Sequence, residues 1–199
     1  LALVNRPTVV KTLSETRDDV LIRITLAGDQ AAFGELVRRY QDRLLTAMTA
    51  VCGSVSEAED VIQEAFLQAY CKLDSFRSES RFYTWLYRIA FNMSVNMKRK
   101  KRPTLSVDHV RESTGWDAAD SGPAPDDGLQ RVERSEQLMA AIGRLAEEFR
   151  QVLVLRELEG FCYETISEVL DLPIGTVRSR LHRARQQLRE DLQSWFAEN

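Results

Sequence analysis

Cysteine and histidine are scarce in this chain: three Cys and two His among 199 residues. Cys52, Cys71 and Cys162 are odd in number and widely spaced, with no CxxC pair. That excludes a disulfide framework or a dithiol redox motif and suits a reducing cytoplasm. His109 and His182 lie far apart, and no residues stand at metal-ligand spacing or as a nucleophile–base pair. No metal, cofactor or catalytic residue is therefore expected. No apolar run approaches the ~18 residues of a membrane span, so no direct membrane insertion is expected. Leu1–Val10 is mildly apolar but lacks the basic n-region and small-residue cleavage site of a signal peptide, and none is expected. Alternating apolar and polar residues are nowhere sustained long enough for a strand.

Charge of one sign is also missing overall. Twenty-seven Lys+Arg face 30 Asp+Glu, a formal net charge of −3, which excludes a histone-like polycation. Hydrophobic residues at 44% exclude an acidic disordered chain. The balance hides a segregation. Residues 26–103 carry 12 basic and 9 acidic residues, 104–130 carry one and six, and 131–199 carry 10 and 12. Within the last block, Leu172–Arg189 holds five arginines and no acid. Asymmetry of this kind points to nucleic-acid binding.

The glycines and prolines fall where they divide the chain. Gly115, Gly122, Gly128, Pro123 and Pro125 mark 104–130 as an acidic, flexible linker. The segments beside it read as helical, so the expected architecture is all-α: an N-terminal extension (1–17), a four-helix domain (18–103), the linker, and a second helical domain (131–199). In the first domain the periodicity predicts helices over about 18–27, 30–51, 56–73 and 80–100. Gly28 should end the first, Asp29 should cap the second, and Ser56 with Glu59 should form a capping box for the third. The second domain should hold helices over about 129–145, 147–158 and 163–170. A turn through Asp171-Leu172-Pro173-Ile174-Gly175 and a last helix from Thr176 to Phe196 would follow. Two helices joined by a short Gly-containing turn, the second rich in arginine, are the pattern of a helix-turn-helix.

The last helix carries the clearest chemistry. Thr176, Arg178 and Ser179 in its first turn would meet base edges if it entered a major groove, and the arginine fork suits guanine or phosphate. The ordinary alternative is a solvated face, but such a face would mix both signs of charge. The fourth helix and the loop before it interleave Phe76, Phe82, Tyr83, Trp85, Tyr87 and Phe91 with Arg77, Arg81 and Arg88. Aromatics beside cations suit unstacked bases, worth about 1–3 kcal/mol per base. The run from Lys98 through Arg99 and Lys100 to Arg102 reads as a phosphate clamp, although helical spacing makes several of the aromatics core and the macrodipole alone favours such a run. The third helix is acidic in its first half, through Glu57, Glu59, Asp60 and Glu64, and suits a basic protein partner or simply a solvated face.

These residues carry a resemblance. Ala58-Glu59-Asp60-Val61-Ile62-Gln63-Glu64-Ala65-Phe66 resembles the polymerase-binding helix of bacterial sigma factors, and Phe82-Tyr83-Thr84-Trp85-Leu86-Tyr87-Arg88-Ile89-Ala90-Phe91-Asn92 resembles their −10 recognition segment. Arg156–Ile166 and Pro173–Arg185 resemble their −35 helix-turn-helix. With only two such domains, the chain resembles an extracytoplasmic-function (group 4) RNA polymerase sigma factor. The resemblance implies a transcription-initiation factor, not an enzyme, whose partners are core RNA polymerase, promoter DNA and an anti-sigma factor, with stress response a common setting. It places Asp60, Gln63, Glu64, Phe66 and Gln68 on the polymerase. It places Phe76, Arg77, Arg81, Tyr83, Trp85, Arg88, Asn92, Lys98, Arg99 and Lys100 at the −10 element, with Asn92 at a flipped base and Met93–Met97 in the specificity loop. It places Thr176, Arg178, Ser179, Arg180, His182 and Arg183 at the −35 element. Family promoters separate the two elements by roughly 22 base pairs, on the order of 75 Å. A linker of ~27 residues reaches about 90 Å extended but only ~30 Å as a free coil. The free domains are therefore expected to collapse together, with the acidic linker able to mask the arginine helix, and the free protein to bind DNA poorly. The competing readings are a stand-alone helix-turn-helix regulator, which leaves the third and fourth helices unexplained, and a helical adaptor whose arginines meet an acidic partner.

Overall fold

The computed structural model describes residues 13–101 and 127–198; the side chains of 100, 101, 127–133 and 194–198 lie outside that set. Among the described residues there are helices and no strands. Most of the expected linker and residues 1–12 of the expected extension lie outside the described residues.

The first domain comprises α1 (Asp18–Leu26), α2 (Gln30–Cys52), α3 (Val55–Cys71) and α4 (Phe82–Lys101). A 3-10 turn, Leu13–Glu15, precedes them. Arg39 ties that turn to α2, donating to the Ser14 and Thr16 carbonyls at 3.2 and 2.8 Å and pairing with Asp18. Residues before Asp18 thus pack on this domain. Asp29 caps α2 as expected, its carboxylate accepting from the Ala31 N–H at 2.9 Å. Gly53, at φ +82°, closes α2 in the left-handed conformation that costs least at glycine. The capping residue of α3 is Ser54, which accepts from the Glu57 N–H at 3.4 Å, not Ser56. Both serines have a glutamate three positions on; the helix starts at the earlier one because Gly53 reverses the chain immediately before it.

Apolar positions three and four apart build the core. Leu36, Leu44, Ala47, Met48 and Val51 of α2 meet Ala58, Val61, Ala65 and Ala69 of α3, with Leu86, Tyr87 and Ala90 of α4 closing the layer. Each buried Leu contributes about 1.5–3 kcal/mol. The alanines on α3 let its axis approach α2 closely. Two further apolar residues of α3 lie at the margin of this core: Ile62 is half-buried and Tyr70 is exposed.

The second domain comprises α5 (Asp127–Arg144), α6 (Glu147–Leu153), α7 (Tyr163–Leu170) and α8 (Ile174–Glu198). Beyond Leu153 the helix widens into a π-turn over Val154–Leu158, and the Glu159 N–H reaches the Val154 carbonyl at 3.1 Å. The sequence predicts regular helix there. The turn between α7 and α8 is tighter than expected. Asp171, not a glycine, takes the left-handed conformation at φ +53°. The Pro173 carbonyl accepts from Thr176 and Val177, so α8 starts at Ile174 and absorbs Gly175. Ile166 and Val169 of α7 pack on Val177, Leu181 and Ala184 of α8 and on Val152, Leu153 and Leu155. That apolar wedge sets the angle between the two helices.

The two domains share one continuous core. α2 contacts α5, α6 and the π-turn, and Phe161 packs edge-on against Tyr87 with ring centres 5.5 Å apart. In the structure the two domains are packed together.

Candidate nucleic-acid and protein interface

α8 displays its cations unevenly. Arg178, Ser179, His182 and Arg183 are exposed on one side of its first turns, and Thr176 is half-buried. The Ser179 hydroxyl is turned back onto the Thr176 carbonyl at 3.1 Å. Arg180 is held by Glu148 of α6 at 2.9 Å. Arg185 is forked onto Glu157, at 3.0 and 2.6 Å from its Nε and Nη2. The arginine run that contains no acid of its own therefore borrows acids from α6 and the π-turn, and two of its five guanidinia are paired. The Arg178 guanidinium lies over the Tyr163 ring at 5.8 Å, as that of Arg156 does at 5.1 Å. Arg156 is a residue the sequence reading left out; its guanidinium also donates to the Phe161 carbonyl at 2.8 Å.

The fourth helix separates its candidates differently. Phe82, Tyr83, Tyr87 and Phe91 are buried, and Phe76 and Trp85 are half-buried against each other with ring centres 5.2 Å apart. Tyr83 is thus placed in the packing and not on an open stacking face; the Arg43 guanidinium covers its ring at 4.2 Å. Arg77, Arg81, Asn92 and Arg99 are exposed. Arg88 donates to the Glu168 carbonyl of the second domain. Lys98 bridges the Val51 carbonyl and the Glu147 carboxylate, each at 3.1 Å. Lys100 lies in the last turn of α4, its side chain outside the described set. Residues 93–97 are helical, so the expected specificity loop is not a loop. The irregular segment lies before α4, over 76–81, where Ser78 sits at φ +58°, a strained conformation for a residue with a Cβ.

On α3, Asp60, Gln63 and Glu64 are exposed, Gln68 is half-buried, and Phe66 is buried against Phe33 in an edge contact of 6.5 Å. Beside them runs an apolar groove of about 460 Å³ lined by Phe33, Val37, Ile62, Phe66, Leu67 and Tyr70 and rimmed by Gln41, Glu59 and Gln63. Leu67 is 58% exposed within it. Of the groove's lining the sequence names Gln63 and Phe66 for the polymerase and leaves out Leu67. The signal was available: Leu67 is apolar yet stands off the buried stripe.

The electrostatics concentrate where the domains meet. The Glu159 side chain is 2% exposed and pairs with Arg43 of α2 at 2.8 Å. Burial pushes its carboxyl above the usual range, opposed by Arg43 and Tyr83. Tyr83 and Tyr87 are pushed up by the same burial and by the Glu159 charge. The Tyr87 hydroxyl makes no hydrogen bond, and that of Tyr83 faces Glu159 without reaching hydrogen-bond geometry. Elsewhere, burial and the Asp18 carboxylate push Tyr40 up to about 12. Among the described residues no group of His, Cys, Asp and Glu is disposed to hold a metal ion, and no helix is long and apolar enough to cross a membrane.

Comparison with known proteins agrees with this geometry. Residues 36–104 match the family model for sigma-70 region 2, and residues 135–188 match that for sigma-70 region 4. The chain is 40% identical over 184 residues to the ECF RNA polymerase sigma-E factor of Escherichia coli K12, covering 88% of this chain and 94% of that protein. It is 38% identical over 170 residues to the ECF RNA polymerase sigma factor SigW of Bacillus subtilis, covering 83% and 91%. Among solved structures, the sigma factor RpoE of Bartonella quintana in complex with the anti-sigma factor NepR superposes with a TM-score of 0.65 at 26% identity, over 81% of this chain and 96% of that one. CnrH in complex with the cytosolic domain of CnrY gives 0.63, also at 26%, over 89% and 97%.

Proposed function

This chain belongs to the extracytoplasmic-function sigma factors of RNA polymerase, and from that premise we propose how its surfaces divide the work. It is a transcription-initiation factor that binds core RNA polymerase and directs it to promoters; a regulator acting alone is not favoured. The observation that carries the division is the presence on one chain of an apolar groove on α3, with Glu59 at its rim and Asp60 and Glu64 exposed on the same helix, and of two separate exposed arginine surfaces.

The groove on α3 docks the polymerase, with Leu67, Tyr70 and Ile62 supplying apolar contact and Asp60, Gln63 and Glu64 reading a basic rim. Phe66 acts from beneath by holding Phe33 in place. The first domain, 18–103, takes the −10 element, its exposed Arg77, Arg81, Asn92 and Arg99 meeting a strand whose bases are already unpaired. Capture of those bases stabilises melting without a covalent step. The second domain, 131–199, places α8 in the major groove of the −35 element. Arg178 and Arg183 carry the base or phosphate contacts there, and Arg185 acts chiefly within its own domain through Glu157. The solved neighbour RpoE, bound to the anti-sigma factor NepR, favours an inhibitor of that class for this chain.

The test is promoter binding by holoenzyme reconstituted with core polymerase. A lost arginine contact to guanine costs about 1–3 kcal/mol. Arg183→Ala should therefore weaken binding to the −35 duplex roughly tenfold, and with Arg178→Ala by roughly a hundredfold. Arg185→Ala should change it less than threefold, since an exposed ion pair contributes at most about 1 kcal/mol. Equal losses at the two positions would overturn the assignment, and failure to bind core polymerase would overturn the function.

A further inference from the structure

The contact between the domains falls on the surface assigned to the −10 element. Arg43 on α2 donates to the Glu159 carboxylate at 3.0 Å and to the Glu159 carbonyl at 3.1 Å. The same guanidinium covers Tyr83. Tyr87 packs on Phe161, Arg88 caps the Glu168 carbonyl, and Lys98 reaches Glu147. Arg88 and Lys98, two −10 candidates, are thereby engaged by the second domain, while Tyr83 is covered by Arg43 of its own domain. The −35 candidates Arg178, Ser179, His182 and Arg183 remain exposed.

The seam is also imperfectly satisfied. Among the described residues, the buried side-chain polar atoms without a hydrogen bond are Tyr83 Oη, Tyr87 Oη and Arg150 Nε. All three lie along it: the tyrosines beside Glu159 and Phe161, and Arg150 where α6 meets the Gly53 end of α2. Parting the domains opens this seam to water, at the cost of exposing the apolar residues packed across it, Tyr87 and Phe161 among them. Buried polar atoms left unpaired weaken a contact without abolishing it. An interface built this way closes by default and opens under modest load.

We propose that this packing is an autoinhibitory contact of the free protein, in which the second domain sits on the −10 surface of the first and is held there by the Arg43–Glu159 pair. The inference rests on the sigma-factor reading and extends it. Single-stranded promoter DNA and the second domain compete for Arg88 and Lys98, so the free chain offers the −10 strand only part of its surface, Arg77, Arg81, Asn92 and Arg99, while its α8 face stays open to duplex. This differs from masking of the arginine helix by the acidic linker, most of which lies outside the described residues. Release comes when polymerase binds the two domains at separate places.

The full chain tests this in three forms: wild type, Arg43→Glu, and the charge-swapped Arg43→Glu/Glu159→Arg. Arg43 is half exposed and Glu159 is solvated once the seam opens, so neither change threatens a domain core. The readouts are small-angle scattering and binding of a fluorescent single strand carrying the non-template −10 sequence of a promoter that the holoenzyme transcribes. Arg43→Glu sets two carboxylates together in the closed form. It should enlarge the radius of gyration and tighten single-strand binding roughly tenfold or more, the reciprocal of the open fraction in the wild type. The charge swap should restore the compact form and the weak binding. Equal radius and equal affinity across the three forms would overturn the inference, as would a wild type already as extended as Arg43→Glu. Run-off transcription with core polymerase separates this from failure of the family reading: an inactive wild type sinks the function, while an active one with an unresponsive seam sinks only the autoinhibition.

Discussion

Tyr87→Phe should stabilise the protein. Tyr87 is fully buried on α4, its ring packed on Phe161 at 5.5 Å and on Tyr83 at 6.4 Å, and its hydroxyl has no hydrogen-bond partner. Phenylalanine keeps both ring contacts and removes only the oxygen. A hydroxyl buried without a compensating bond costs about 1–3 kcal/mol in protein mutational series, so the variant should gain a similar amount. For a chain of this length each kcal/mol moves Tm by roughly 2–4 °C, so the midpoint should rise by about 6 °C near the centre of the range. Equilibrium urea unfolding followed by circular dichroism, with a thermal scan beside it, measures both. The gain should belong to the packed form, because the hydroxyl is solvated when the domains part. Tyr83→Phe should act in the same direction, and the two should not add, since their rings touch. A loss of about 1 kcal/mol or more in Tyr87→Phe would refute the reasoning: the hydroxyl would then hold a bridging water in the protein, and the seam would be better satisfied than its geometry indicates.

Leu67→Arg should weaken core polymerase binding at least roughly tenfold, because it sets a cation in the open apolar groove, while leaving Tm within about 2 °C, since Leu67 is 58% exposed; titration calorimetry or a pull-down series against purified core enzyme measures the first. Ser54→Ala should cost about 0.5–1 kcal/mol through the lost cap on α3, and Ser56→Ala less than ~0.5 kcal/mol; denaturant midpoints that reversed this order would return the cap to Ser56. The pH dependence of domain packing should carry the sign set by Glu159. Its carboxyl is raised by burial between Arg43 of α2 and Tyr83 and Tyr87 of α4, so it favours the packed form below the ordinary carboxylate pKa, and that contribution is lost as pH rises through the raised value. Mild acid should therefore compact the chain, and Glu159→Gln should remove that part of the response; scattering that showed mild acid opening the wild type through this residue would contradict the assignment.

Local signals carried most of the fold. Asp29, Gly53 and the stripe through Leu36, Leu44 and Met48 mark α2 without reference to anything distant, and the buried set agrees with them. Errors arose where two local signals were equivalent or where tertiary contact chose between them. Ser54 and Ser56 both precede a glutamate by three, and the chain reversal at Gly53 decides. Gly175 looks like the turn residue, but Pro173 can start a helix as well as end one, and Asp171 supplies the left-handed position. The aromatic run on α4 was legible as aromatic and not as open or closed, because Tyr87 is covered by Phe161 of the other domain and Tyr83 by Arg43 of another helix, both far away in the chain.

The least legible feature is the seam, for a definite physical reason. Arg43 and Glu159 lie 116 residues apart, and each occupies a place where a charged residue ordinarily meets water. Helical periodicity sorts residues by the core of their own domain, so a residue buried only against the other domain reads as solvent-facing. Glu159 is the sharper case. It follows a π-turn that no periodicity announces, and the widened turn ends with its side chain 2% exposed. Interiors seldom bury a carboxylate without return, and a hydrophobic residue of similar volume would pack the seam more tightly than the ion pair does. A permanent interface would therefore gain from apolar residues at these positions. A charged pair with two unpaired tyrosine hydroxyls beside it holds well enough to close the chain and weakly enough to let it open, and that balance is what the Arg43→Glu and charge-swap variants measure.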